Sequence, residues 1–398
     1  MAIAQEKSVR SILLNCPIQF PVDRPYAYYE KLRRENPIYR ASPIQWVFTE
    51  YEDAISLLQN PLCSHWGQDP DTQLMMFGGQ GMIAKTLFAF APDANLPYRK
   101  KIVHGLAAKN LKFETEAMNS EAIKIMEKLN GKKEIDFMKD YAHPFTFNTI
   151  SRIIGVPEND IAKLTALVSS LPNGYFHFIF NSEITGSGLE FINFLKSLIR
   201  LKRDSPENDL CSALVEACDA NNDDESFVLS LLILLFYAGH DNMMNFLGNA
   251  IYALSEHKNE ESELRSNPDY VDASIDEMLR YDSPVQFFLL FAKDDFNYKG
   301  KTIKAGSQLL VSVGAANRDP KVFENPNNIV LGRKPLHISY GAGAYRCIGA
   351  KLAQLQAAAG IRKFIELTNS YTVNAVNWRT SPFVQRGPTS LKLNLVFK

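Results

Sequence analysis

The spacing of apolar positions makes most of this chain helical. A helix is predicted over 25–36, opening with Pro25 and closing before Pro37, followed by strand-like runs at 38–41 and 44–49 and a helix over 51–59. From 98 to 203 apolar residues recur every three or four positions, punctuated by Gly131, Pro157, Pro172 and a turn from Gly186 to Gly188. The longest uninterrupted helical stretch is 224–257, about 50 Å long. Its first half is apolar on nearly every side, so it is expected to run through the middle of the molecule. A shorter helix at 270–281 gives way to period-two runs at 285–292, 296–303 and 308–312. An irregular stretch, a helix over 349–367 and terminal strands up to 397 complete the pattern. The pattern predicts a mainly α chain with a small β subdomain drawn from about 37–50, 285–312 and 371–398, in a single domain spanning 1–398.

Residues 61–97 break the pattern. Four glycines there lie among Trp66, Met75, Met76, Phe77, Met82, Phe88 and Phe90, and so apolar an irregular loop is expected to cover a site. Charge is balanced, with 43 Lys and Arg against 44 Asp and Glu, so the chain has no global field for nucleic acid or an anionic membrane. Five scattered cysteines without a CxxC pair argue against a disulfide framework and for a reducing cytoplasm. Residues 1–21 carry polar interruptions unlike a signal peptide, and the apolar run 227–238 is shorter than the roughly 20 residues of a membrane span. No membrane association is expected.

The most informative stretch is Tyr340-Gly341-Ala342-Gly343-Ala344-Tyr345-Arg346-Cys347-Ile348-Gly349, directly before a helix. It describes a tight loop presenting a thiolate near a helix N-terminus, where the dipole should lower its pKa; a buried cysteine in a glycine turn is the bland alternative. The loop resembles the cysteine-ligand loop of the cytochrome P-450 family of haem-thiolate monooxygenases, soluble bacterial type. Glu277-Met278-Leu279-Arg280 matches the family's Glu-x-x-Arg helix. Residues 316–320, with Phe323, Pro326 and Arg333, match the segment leading to the cysteine loop. Ala238-Gly239-His240-Asp241-Asn242, on the long helix, resembles the family's oxygen-binding segment; a helix-packing glycine beside polar residues is the alternative for Gly239.

The resemblance implies a haem b (iron protoporphyrin IX) with Cys347 as axial iron ligand and a long central helix over it. Tyr340, Gly341, Ala238 and Gly239 would contact the haem, while Glu277, Arg280 and Arg333 would form a structural triad behind it. Asp241 and Asn242 become the catalytic candidates. Asn242 stands where the family has threonine, and an amide is not a hydroxyl relay. The positions expected to anchor the haem propionates hold Leu96, Lys100, Leu290 and Tyr345, so Lys100, Tyr345, Tyr98, Arg99 and His337 are the anchoring candidates.

No flavin or iron–sulfur motif is present in the sequence, which implies a separate ferredoxin or flavodoxin donating electrons on the Cys347 side. Arg99, Lys100, Lys101, Lys109, Lys112, Arg346 and Lys351 supply a basic docking face there. Met75, Met76, Phe77, Met82, Phe176, Phe287 and Phe288 are expected to line a pocket for a small, largely apolar secondary metabolite, which would be hydroxylated or epoxidised. Two alternatives stay open: a peroxide-driven oxidant, motivated by Asn242, and a non-catalytic haem-poor partner protein, motivated by the missing propionate partners.

Overall fold

Strands form where branched and aromatic residues alternate, and the chain brings them together across long sequence separations. The computed structural model describes residues 21–65, 96–106, 108–171, 186–380 and 383–398, with side chains at 96–97, 108–113 and 345 outside that description. Met75, Met76, Phe77, Met82 and Phe176 therefore lie outside the described residues.

Strands β1 (Ile38–Ser42) and β2 (Gln45–Phe48) pair antiparallel. The short β3 (Cys63–Ser64) closes the far edge of their sheet, and β4 (Glu134–Asp136) belongs to another. Next come β5 (Phe287–Ala292), β6 (Phe296–Tyr298), β7 (Lys301–Ile303) and β8 (Gln308–Ser312). The five-stranded sheet has the order β1-β2-β8-β5-β3, with β2 and β8 parallel, so strands near the start of the chain share a sheet with strands some 250 residues later. The single run expected at 296–303 is instead the β6–β7 hairpin. Lys299 and Gly300 turn it with φ of 45° and 75°, the left-handed pair that matches a tight hairpin's twist. The last two strands, β9 (Thr368–Trp378) and β10 (Pro388–Phe397), form a three-stranded sheet with β4.

The central helix, Glu225–Glu256, is capped by Asp224, whose carboxylate accepts from the Ser226 N–H at 2.8 Å. Helices His143–Ile154, Ser187–Asp204, Leu210–Asn221 and Ala350–Leu367 pack against it. Among the described helices it alone is long and apolar enough to cross a membrane, yet 61% of its apolar window is buried inside the protein. The six-residue π-helical turn Phe137–Ala142 leads into His143–Ile154, in a region whose sequence pattern predicts only continuous helix and punctuation. No disulfide joins Cys63, Cys211 and Cys218, which are buried, or Cys347, which is exposed.

Candidate functional site

Glu277 and Arg280 sit one helical turn apart on Tyr270–Tyr281 and are both fully buried. Arg280 donates to both Glu277 oxygens, at 2.7 and 2.8 Å, and spends its remaining donors on the carbonyls of Asn317, Pro326 and Asn328. Arg333 stands 3.5 Å from the same carboxylate, so the structure brings the three residues together. A buried guanidinium needs every donor matched, and here the matching carbonyls belong to the segment leading to the cysteine.

That segment carries the order onward. Asn317 accepts from the Ile338 N–H and donates to Ser339 Oγ, each at 2.9 Å, and Ser339 Oγ donates to the Leu279 carbonyl. The Cys347 N–H closes the loop onto the Tyr340 carbonyl at 2.8 Å. Gly343 has φ of 65° and a Cβ there would lie 2.9 Å from the Leu58 carbonyl, so only glycine fits. Cys347 is thus presented by a braced backbone just ahead of the helix Ala350–Leu367. Its thiol differs from the sequence expectation. Desolvation by the surrounding protein pushes it up from its ordinary value and outweighs the Gly349 N–H, Arg99 and Arg346, which pull it down.

On the central helix, Ala238 is exposed, and Leu235 and Asn242, three and four positions away on its face, are only partly buried. An open stripe in the middle of an otherwise buried helix marks a cavity face. Gly239 does not serve an approach from that cavity: its missing Cβ would lie 2.5 Å from Ile150 Cδ1, so the glycine admits the neighbouring helix. His240, on the opposite side, is buried against Thr146 at 2.8 Å and His143 at 3.1 Å, and His143 reaches Ser169 at 2.6 Å. Asp241 pairs with Arg379 at 3.3 Å and accepts from Asn245 at 3.4 Å. The Asn242 Oδ1 accepts from Gln385 Nε2 at 3.1 Å, and the same nitrogen donates to the Tyr237 hydroxyl at 2.8 Å.

Several anchoring candidates are otherwise engaged. Tyr98 is buried and donates to Asp223 at 2.5 Å, which removes its hydroxyl from the propionate role. Nε2 of His337 lies 3.3 Å from Asp276 and its Nδ1 accepts from the Ser339 N–H, so both ring nitrogens are committed. Arg99 donates to the Arg346 carbonyl at 3.2 Å, beside the cysteine, and Lys100 is exposed. The side chain of Tyr345 lies outside the described residues. Phe287, expected in the pocket, is packed edge-on between Tyr29 and Phe383 in a core cluster, whereas Phe288 is partly buried on the opposite face of β5, near His65. Of the basic face, Lys101 is paired with Glu216 at 2.7 Å; Arg346 and Lys351 are exposed.

His65, Arg379 and Gln385 escape the sequence reading because no local motif surrounds them. His65 is partly buried against the Leu289 carbonyl at 3.1 Å, and desolvation pushes it down to about 4. A cavity of about 1010 Å³ lies elsewhere, lined among others by Lys101, His104, Lys202 and Asp209, and no residue of the cysteine loop is among its described lining residues.

Cys347 fits a haem by the chemistry of its donor set. Among the described residues no group of three or more His, Cys, Asp or Glu side chains gathers to hold a metal. A lone thiolate cannot chelate a bare ion, but it can complete an iron already held by a macrocycle.

A family model described as Cytochrome P450 matches residues 139–367. The "Biotin biosynthesis cytochrome P450" of Bacillus subtilis is 30% identical over 384 residues, covering 90% of this chain and 92% of the relative. "Polyketide biosynthesis cytochrome P450 PksS" of the same organism is 28% identical, covering 93% and 96%. The solved structure of PksS superposes with a TM-score of 0.83 at 26% identity, covering 96% of this chain and all of that one. A structure titled as P450BioI in complex with hexadec-9Z-enoic acid ligated acyl carrier protein gives 0.79 at 27% identity, covering 94% and 98%.

Proposed function

Since the chain belongs to the cytochrome P450 family and is thereby a monooxygenase, we propose that it binds haem b through Cys347 and oxygenates a small, largely apolar molecule of secondary metabolism in the cytoplasm. When bound, the haem supplies oxygen activation, with the thiolate's electron donation favouring O–O cleavage. The observation that carries the reading is the braced loop, in which the buried Glu277–Arg280 pair fixes Asn317, Asn317 fixes residues 338–339, and the Tyr340 carbonyl fixes Cys347.

Other roles fall to the chain's own side chains. Arg99 and Arg346 place positive charge beside the sulfur and favour the thiolate. Ala238 leaves room on the open face of the central helix, and Phe288 borders the substrate space. Asn242 supplies an amide hydrogen bond and no proton of its own, so protons reach the site through Asp241 or water. Arg99, Lys100, Arg346 and Lys351 form the docking face for an acidic ferredoxin or flavodoxin.

A second reading of the partner is favoured by the same exposed cations and by the carrier-protein complex of the solved relative: the substrate arrives as an acyl chain on an acidic carrier protein. Product formation tests the proposal. A ferredoxin–reductase pair should support turnover over a panel of fatty acids, their carrier-protein thioesters and polyketides, with rates falling as salt rises. Turnover with hydrogen peroxide alone and none with electron donors would overturn it.

A further inference from the structure

The central helix carries polar residues at strict four-residue spacing, Tyr237, Asp241, Asn245 and Asn249, with Asn242 beside them. Four-residue spacing puts them on one stripe, and three residues of the connection between β9 and β10 meet it from outside the helix, with the Asp282 carbonyl also reached by Asn249. Arg379 reaches Asp241 and Asn245, at 3.3 and 3.5 Å. Gln385 donates to Tyr237 and Asn242, and the Arg386 carbonyl accepts from Asn249 at 3.1 Å. Gly387 completes the fit, because a Cβ there would lie 2.4 Å from Asn245 Oδ1.

We propose that Arg379 and Gln385 are positioning residues for the central-helix pair Asp241 and Asn242. This rests on the haem-thiolate reading of the site and deepens it. Gln385 is nine-tenths buried, with 5% of its surface exposed, and both amide hydrogens of its Nε2 are directed to two acceptors, the Tyr237 hydroxyl and Asn242 Oδ1. Gln385 Oε1 is itself buried without a partner among the described residues, so the orientation rests on Nε2 serving both acceptors, and turning over the Gln385 amide alone would set its Oε1 against Asn242 Oδ1. With Gln385 donating, the Asn242 amide holds its oxygen toward Gln385, and its Nδ2 has no partner among the described residues. Asn242 lies on the partly open stripe with Ala238, so this orientation leaves a hydrogen-bond donor for a guest on that side. Asp241, 3% exposed, is held by Arg379 through Oδ1 and by Asn245 through Oδ2, so it cannot swing toward the same guest without exchanging a partner. The connection thereby sets Asn242 as the donor and Asp241 as the retained acid.

The test is a double-mutant cycle on the haem-loaded enzyme with Gln385→Leu, Asn242→Ala and the pair, with Gln385→Met as the second variant should Gln385→Leu fold poorly. Three readouts are taken: thermal midpoint, the infrared stretch of carbon monoxide in the reduced protein, and product formed per electron consumed. Either Gln385 variant is expected to shift the carbon monoxide stretch and to lower product per electron by about fivefold, the worth of one net hydrogen bond. Both effects should vanish in the Asn242→Ala background, since Gln385 acts through Asn242. Additive effects in the double variant, or an unshifted stretch in both Gln385 variants, would overturn the proposal. Loss of the thiolate-shifted band from the unsubstituted protein would instead count against the haem reading.

Discussion

Arg379 Nη2 lies 3.3 Å from Asp241 Oδ1, joining the central helix to a residue 138 positions later in the chain. Asp241 is almost fully buried and Arg379 has 15% of its side chain exposed, so each charge depends on the other for solvation. Arg379→Met strands a buried carboxylate and is expected to cost about 2–3 kcal/mol, while Asp241→Asn in that background should recover part of the loss. Urea unfolding of both single variants and the pair measures it; strictly additive losses would contradict the coupling.

Arg280 shows why guanidinium and ammonium are not exchangeable at a buried fork. Its side chain serves Glu277 and three carbonyls, a set that one lysine nitrogen cannot reach. Arg280→Lys is expected to lose about 3–5 kcal/mol and to lower haem retained per chain, because Asn317 and the cysteine loop lose their brace. Haem content and melting temperature, taken together, check this.

Gly239 separates two accounts of one motif. If it serves packing, Gly239→Ala clashes with Ile150, and shortening Ile150 to Ala should relieve the clash; overpacking costs typically about 1–3 kcal/mol. The Ile150→Ala background should therefore turn the substitution from destabilising to nearly neutral, read by chemical unfolding. An equal loss in both backgrounds would contradict the packing role.

Three histidines should govern acid stability. Burial pushes His65 down to about 4, His143 below its ordinary value and His240 well below it, so all three are neutral in the folded chain. Below about pH 6.5 the unfolded chain takes up protons that the folded chain refuses. Stability is thus fully present above that value and falls as pH drops toward 4. His65 alone accounts for about 3 kcal/mol at the lower limit, by the conversion of one pKa unit to about 1.36 kcal/mol. Melting temperatures between pH 7 and 4.5 should fall less steeply in His65→Gln, and an unchanged slope would contradict the assignment.

What the sequence disclosed was local. The Cys347 loop, Glu277 with Arg280, and Asp241 with Asn242 are each legible because their chemistry lies within ten consecutive positions. Arg379 and Gln385 are invisible in that sense, since nothing near them marks a pairing with residues some 140 positions earlier. Tyr98 and His337 have the right chemistry for anchoring, but which acceptor lies nearest is a property of packing, and Asp223 and Asp276 take them. Phe287 and Phe288 are neighbours with equal hydrophobicity, and the strand's alternation sends one into the core. Helix and strand boundaries came close because Pro, Gly and Asp mark them, whereas the β6–β7 turn was hidden by Lys299, which few hairpins place at positive φ.

The central claim is that Cys347 is the axial ligand of a haem. The absorption spectrum of the reduced protein with carbon monoxide tests it most directly, taken on the unsubstituted chain and on Cys347→Ser at equal haem loading. The red-shifted band of a thiolate-ligated haem is expected in the first and its loss in the second. A shifted band that survives Cys347→Ser, or no haem band in the unsubstituted protein after reconstitution, would contradict it.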